Sequence, residues 1–443
     1  LFMSATPHNG YVESWTALLA MLDPQRFARG VIPDPAALKQ ILVRRLKTEI
    51  TNSDGSLRYP AREAKDITVR YPADELELQA LLADYTRART TKVVSARFAP
   101  KKAGVDLLGL LLKKRFFSSP AALRIDFAWP QDDITIDIAF GLDEGRQLIL
   151  EGDFADDDAA DEAEQIALAK AQQAAGESGA QESELLEKLC SWAEQHGHET
   201  DAKAVALLDF LRDTCRPDGT WNCERVVVFT EYRDTQRWLL DLFEKHGLAE
   251  KGRVALLYGG MDHDERADVM RSFQRDPEQH KLRIILATDT ASEGVDLQNY
   301  CHRLVNYDLP FNPNRLEQRA GRIDRYGQTK VPLVYHFAGS DWQSAPKDSL
   351  QGDLQFLTII ARKIATARED LGSVNPVISD AVERRMLGRP ARDFDVDRTL
   401  AKAKANPALK VERQLREETA RLAATLDDSR RELHCSPADI ERV

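Results

Sequence analysis

Between Trp221 and Phe337 the chain alternates repeatedly between two periods. Residues 226–229, 254–258, 282–287, 304–307 and 331–337 are short apolar runs rich in β-branched residues. Residues 235–246, 264–273 and 314–326 lie among them with apolar residues at helical spacing. Short buried runs that alternate with helices predict a parallel sheet covered by helices on both faces. The stretch 221–340 is about the length that one such α/β unit needs.

The remaining sequence must build something else. At roughly 100–200 residues per domain, 443 residues suggest two to four folded units. With 43% hydrophobic and 30% charged residues, fibrous and collagen-like classes are excluded, and wholesale disorder does not fit. No apolar run is long enough to span a membrane. The opening LFMSATPHNG has no basic n-region and no initiating Met, and reads as internal sequence of a longer protein. Cys190, Cys215, Cys223, Cys301 and Cys435 are few and scattered, as expected in a reducing, cytoplasmic compartment. Cys190, His196, His198, Cys215 and Cys223 match no compact zinc spacing, so no metal site is expected. The net charge of −11 argues against a generally basic coat for nucleic acid. It leaves room for a local groove, because a phosphate chain senses the nearby potential.

Outside the alternating stretch, helices are expected at 13–22, 38–45 and 74–89, and a strand at 64–71. Residues 106–117 read as an amphipathic helix with basic residues at one end. The tract 151–183 holds ten acidic residues and one lysine. It reads as a solvated helix or flexible insert, a soluble face more than a mimic of nucleic acid. Helix is expected again from 182 to 212, and mostly helix over 345–443.

The chemistry is written most densely in NRLEQRAGRIDRYGQ, residues 314–328. Asn312 suits an N-cap and Pro313 the first helical position. Gln318, Arg322 and Arg325, spaced by four and three, are expected on one helical face, with Arg315 and Arg319 nearby. Two guanidiniums on a rigid face can grip several phosphate oxygens; the plainer reading is a surface helix with solvated arginines. Gly321 would let a backbone or a nucleotide come close. Upstream, LATDTASEGVDLQ (286–298) delivers Asp289 and Thr290 to the carboxyl end of a strand, where parallel sheets place ligands. Ser292 can donate to phosphate, Gly294 permits a bend, and Asp296 could orient an arginine. Thr230 ends another strand and Gly259-Gly260 a third, on the same edge.

These residues carry a resemblance. Gln318, Gly321, Arg322 and Arg325 match Q-x-x-G-R-x-x-R, the sixth motif of superfamily-two helicases, and within that group the chain resembles the Swi/Snf-type double-stranded DNA translocases. The fold this implies is a RecA-like α/β lobe of the P-loop NTPase superfamily, with helical additions. Residues 288–298 resemble the fifth motif, 227–235 the fourth, and Ser4-Ala5-Thr6 the third, which couples hydrolysis to movement. Arg44-Arg45-Leu46-Lys47 resembles the basic element before the lobe junction.

The resemblance implies that 1–50 ends a first lobe and that 51–220 holds the junction and a helical insertion. It implies a second lobe at 221–340 and a helical extension at 341–443. Arg322 and Arg325 would be arginine fingers toward ATP and Mg2+ held on the first lobe, with Gln318, Gly321, Gly294 and Asp296 near the nucleotide. Thr230, Gly259, Gly260, Thr288, Ser292 and Gln298 would face the nucleic-acid backbone. The sequence at 4–9 departs from eukaryotic remodellers and is similar to a bacterial branch that includes the RNA-polymerase-recycling ATPase and phage-defence proteins. Duplex DNA is the expected partner, with RNA, RNA polymerase, or defence or repair proteins as alternatives, as is a purely protein-docking role. No G-x-x-x-x-G-K-[ST] and no Asp-Glu box for magnesium occurs in these residues, so the chain alone is expected not to hydrolyse ATP.

Overall fold

The computed structural model describes residues 12–31, 33–41, 50, 52, 54, 58–94, 99–123, 156–175, 179–196, 199–290, 295–340, 350–366 and 375–387. The chain divides into two compact units. One comprises Leu1–Tyr59, Ala367–Ile378 and Asp393–Val443; the other comprises Pro60–Thr366 and Ser379–Arg392.

In the first unit, helices α1 (Val12–Leu22) and α2 (Pro35–Ile41) bury Trp15, Leu19, Phe27 and Leu38 together. Asp23 accepts from the amides of Gln25 and Arg26, both at 3.2 Å, which turns the chain after α1. Gly30 then takes a φ of +79°, and its amide donates to the Thr16 hydroxyl at 2.7 Å.

The second unit is built on one sheet of six parallel strands: β1 (Glu63–Val69), β2 (Val226–Thr230), β3 (Val254–Leu257), β4 (Ile284–Thr288), β5 (Arg303–Asn306) and β6 (Leu333–Gly339). Their order across the sheet is β1-β6-β5-β2-β4-β3. Every residue of β2 and β4 is buried, which is why both read as unbroken apolar runs. The pleat sends alternate side chains to opposite faces. Val226, Val228, Ile284 and Leu286 pack under Leu207, Leu211, Trp238 and Phe243; Val227, Phe229, Ile285 and Ala287 pack with Phe273, Leu297 and Ile323.

The sheet begins earlier in the chain than the alternating stretch. Glu63–Val69 pairs with Leu333–Gly339 in parallel and forms the edge. Sequence alone sees this strand but not the sheet it joins.

Helices α3 (Ala73–Val94), α4 (Ala99–Ser118), α5 (Pro120–Leu123), α6 (Asp157–Ala175), α7 (Ala180–His196) and α8 (Ala202–Cys215) lie between β1 and β2. The expected single helix over 182–212 is two, the second capped by Asp201, which accepts from the Ala204 amide at 2.7 Å. The expected amphipathic helix at 106–117 is instead buried all round. Its cations are buried against distant anions: Lys113 on Asp353 at 2.8 Å, Lys114 on Glu231 at 3.3 Å, and Arg115 on Glu164 at 2.5 Å. The acidic tract is helical over α6, and it buries Ala167, Leu168 and Ala171 rather than standing free in solvent. None of the helices among the described residues is long and apolar enough to cross a membrane.

Glu75, in the first turn of α3, lines a cavity of about 140 Å³ with Asp201, Lys203 and Tyr307. Burial and the nearby Asp201 push its carboxyl up to about 7. The folded state therefore holds a proton that the unfolded chain releases near pH 4.5. The cost of ionising Glu75 is absent below that pH and grows as pH rises to 7. Glu75→Gln removes the cost, while its amide oxygen still accepts from Ala202 N, now 2.8 Å from the carboxylate. The variant should melt above wild type at pH 8 and level with it at pH 4.5. An equal gain at both values would show that the charge is not the cause.

Candidate functional site

Because all six strands are parallel, the chain leaves them at one edge, and the polar loops gather there. At the centre stands Asp308, just past β5. Its Oδ2 accepts from the Thr230 hydroxyl at 2.6 Å and from the Ser118 hydroxyl at 2.8 Å. The Glu231 amide donates to both of its oxygens, at 3.0 and 3.1 Å. Thr230 is fully buried. It shapes the loop from beneath, where the sequence placed it facing nucleic acid.

Helix α9 (Arg233–Lys245) follows β2, α10 (His263–Gln274) follows β3, and α11 (Pro313–Ala320) follows β5. Asn312 caps α11 by accepting from the Asn314 amide at 2.9 Å, and Pro313 takes the first position. Helix α11 ends at Ala320, and Gly321 caps it, donating its amide to the Glu317 carbonyl at 2.9 Å. Gln318, Arg322 and Arg325 therefore do not share one helical face: Gln318 is exposed on the helix, and the two arginines lie in the turns beyond it. A Cβ on Gly321 would meet the carbonyls of Glu317 and Gln318 at 3.3 Å, so this glycine relieves its own helix end.

Arg322 is buried, and its carbonyl accepts from the Leu297 amide at 3.1 Å. Arg325 is half-exposed and paired with Asp296. The arginine turns are held by Gln328, whose side-chain amide donates to the carbonyls of Gln298, Cys301 and Ile323 at 2.9–3.0 Å. Gln298 is nearly buried and donates to the Tyr326 carbonyl at 3.3 Å, so its side chain faces the arginine segment rather than a groove.

Between strands and turns lies Arg319, which is 1% exposed. It bonds Asp289, Asn306 and Asp308 at once. Arg315 reaches Glu231 at 3.1 Å. Burial pushes the Glu231 carboxyl up, against the pull of Lys114 and Arg315.

The opposite half of the edge is occupied from within. Asp157, the first residue of α6, accepts from the Gly259 amide and the Thr288 hydroxyl, both at 2.8 Å, and from the Thr290 hydroxyl. Gly259 has to be glycine here, since a Cβ would sit 2.7 Å from Asp157 N. Gly260 follows with a φ of +81°. Ser4, Ala5, Thr6, Ser292, Gly294 and Arg44–Lys47 lie outside the described residues.

The described residues thus present guanidinium groups, amides and hydroxyls to this edge. They contain no group of three His, Cys, Asp or Glu side chains arranged to hold a metal ion. Asp308, Gln328 and Asp157 escaped the sequence reading, and Arg319 was noted only as a neighbour of the phosphate-gripping arginines. Asp308 stood close to residues already singled out. Nothing local ties Asp157 to loops more than a hundred residues away.

The match to a known family agrees with this architecture. Residues 206–327 match the family model of the helicase conserved C-terminal domain. They lie within the RecA-like parallel α/β lobe described above, whose sheet also takes in β1 and β6. The chain is 36% identical over 138 residues to the uncharacterized ATP-dependent helicase YqhH of Bacillus subtilis (strain 168). That match covers 31% of this chain and 22% of the relative. It is 29% identical over 135 residues to the DEAD-box ATP-dependent RNA helicase 35B of Oryza sativa subsp. japonica, covering 30% of this chain and 19% of that one. Among solved structures, the C-terminal part of the Fun30 ATPase domain aligns with 75% of this chain and 100% of that chain, at a TM-score of 0.41 and 13% identity.

Proposed function

We propose that the chain is the C-terminal part of a Swi/Snf-type, ATP-driven translocase of double-stranded DNA. The observation that carries this reading is the helicase C-terminal lobe at 206–327, with its polar loops gathered at the carboxyl edge of one parallel sheet. In this reading ATP and Mg2+ are held mainly by another lobe, and Arg322 and Arg325 approach the phosphates from this one. Gln318, Gly321, Gly294 and Asp296 border the nucleotide. Gly259, Gly260, Thr288 and Ser292 face the nucleic-acid backbone, with Thr230 and Gln298 supporting those loops from within. Backbone recognition needs donors and cations more than base readers, so little sequence preference is expected.

A second reading, an RNA-directed or transcription-recycling ATPase, is favoured by the several relatives named as RNA helicases, among them a 30%-identical match over 133 residues. The two readings part on one measurement. ATP turnover is followed in the protein that joins this chain to a phosphate-binding lobe, with no nucleic acid, duplex DNA, single-stranded DNA or RNA. Stimulation by duplex DNA supports translocation on DNA. Stimulation by RNA alone supports the second reading. No turnover under any of these conditions would remove both, leaving a docking role.

A further inference from the structure

The residues expected to grip a phosphate chain already hold an anion, and the anion is part of the protein. Gly259 N–H, Thr288 Oγ1 and Thr290 Oγ1 converge on the Asp157 carboxylate. One amide and two hydroxyls on a single anionic group form a donor set that also suits the non-bridging oxygens of a phosphodiester. A cation stands beside it. Arg233 packs over the Tyr258 ring, and its charge favours the ionised form of Asp157. The approach of α6 is close: Asp156 Cα and Asp157 N would lie within 3 Å of a Cβ on Gly259.

We propose that Asp157 occupies the seat of a nucleic-acid backbone phosphate, so that the acidic start of α6 and a phosphodiester strand compete for the same loops. This rests on the reading above, in which these loops face nucleic acid.

Two features make the seat exchangeable rather than a fixed joint. First, the anchor of α6 is elsewhere. Glu164 takes Arg115 at 2.5 Å and the Tyr232 hydroxyl at 3.1 and 3.2 Å, and the buried Ala167, Leu168 and Ala171 follow it. Glu164 lies two turns along the helix from Asp157, about 10 Å at 1.5 Å per residue. The first turn can release the loops while the anchor stays in place. Second, burial pushes the Asp157 carboxyl up despite its three donors and Arg233, so the seat does not fully repay the desolvation of this anion. A phosphodiester stays charged in the same place.

The test uses the full chain and a short fluorescent DNA duplex at low salt, with an RNA duplex of the same sequence as a second probe. Asp157→Ala vacates the seat. Asp158→Ala removes the same formal charge from the exposed neighbouring residue, which shares the field of Arg233, while the three loop donors stay on Asp157. If the seat is vacant about a tenth of the time in the wild type, D157A should tighten binding about tenfold. D158A should change it little, and T288V added to D157A should cancel the gain. Faster hydrogen exchange at the Gly259 amide in D157A would report the vacated seat in the absence of any nucleic acid.

Three outcomes overturn the proposal. In the first, wild type and D157A bind equally, so the loops meet nucleic acid but Asp157 does not compete. In the second, D158A tightens binding as much as D157A, so the effect is net charge rather than occupancy. In the third, neither wild type nor D157A binds either duplex, and the assignment of these loops to nucleic acid fails along with the competition. A preference between the DNA and RNA probes identifies the strand without altering the result.

Discussion

Arg319→Ala should lower the stability of the helicase-like lobe by about 3–5 kcal/mol, the range for breaking a buried charge network at one partner. The size follows from the number of bonds. An arginine carries five N–H donors. Nε and Nη2 grip the two oxygens of Asp289 at 2.5 and 2.9 Å. Nη1 donates to Asn306 Oδ1 at 3.1 Å and to the Asp308 carbonyl at 2.9 Å, and Nη2 also reaches Asp308 Oδ1 at 3.3 Å. Burial alone would weaken the guanidinium's hold on its proton; Asp289 and Asp308 more than reverse that, and its pKa is raised. Alanine would take the shared guanidinium away from both carboxylates, while Arg315 stays 3.9 Å from Asp289. Lysine would restore the charge but not the planar fork, so Arg319→Lys should fall between. The measurement is the urea midpoint of each variant at an unchanged slope. A loss in R319A below about 1 kcal/mol, the scale of an exposed pair, would mean the network is not what holds this edge together.

The same network explains how much of the site could be read in advance. Asn306 must turn its oxygen to Arg319, so its amide nitrogen faces His336 Nδ1 at 3.2 Å. His336 Nδ1 is then the acceptor, and burial with nearby arginines pushes the histidine down to about 3. None of this chain of dependence is visible in a sequence window, because Asp289, Asn306, Arg319 and His336 come from four separate elements.

What a window does contain was legible. The β-branched runs became β2 to β6 within one or two residues at most ends; in β2 and β4, burial on both faces leaves the sequence no polar alternation. The Asn312 cap and Pro313 are local chemistry and were found by local reasoning. Failures occurred where the deciding partner lay far along the chain. Lys113, Lys114 and Arg115 read as the wet end of an amphipathic helix, and their buried partners are Asp353, Glu231 and Glu164. Asp157 read as one charge in a solvated tract, and it accepts from loops near residues 259 and 288. The arginine spacing fitted a helical face, but a tight cap at Gly321 ended the helix before the face was complete.

That early ending sharpens the prediction for the arginines. In phosphoryl-transfer enzymes, an arginine reaching across to the nucleotide contributes about 10³–10⁵ in turnover. On the proposed reading, Arg325→Ala, in the protein that joins this chain to a phosphate-binding lobe, should therefore lower kcat by about 10³ or more. KM should move little, because the contact strengthens as charge develops on the transferred group. The variant should fold normally. Arg325 has a 38% exposed side chain and, among the described residues, pairs with a carboxylate that is itself 51% exposed, and such pairs contribute about 0–1 kcal/mol. Asp296→Ala should then leave stability nearly unchanged. Arg322 differs, since it is buried and its segment is tied to Leu297. Arg322→Ala is expected to reduce both turnover and melting temperature, so turnover is read alongside the melt. Arg325→Lys keeps the charge and loses the planar fork; partial recovery would place the contribution in the charge, and none would place it in the two-point grip. Wild-type turnover in R325A, at normal melting temperature, would remove Arg325 from the reaction and leave its pairing with Asp296 as a surface contact.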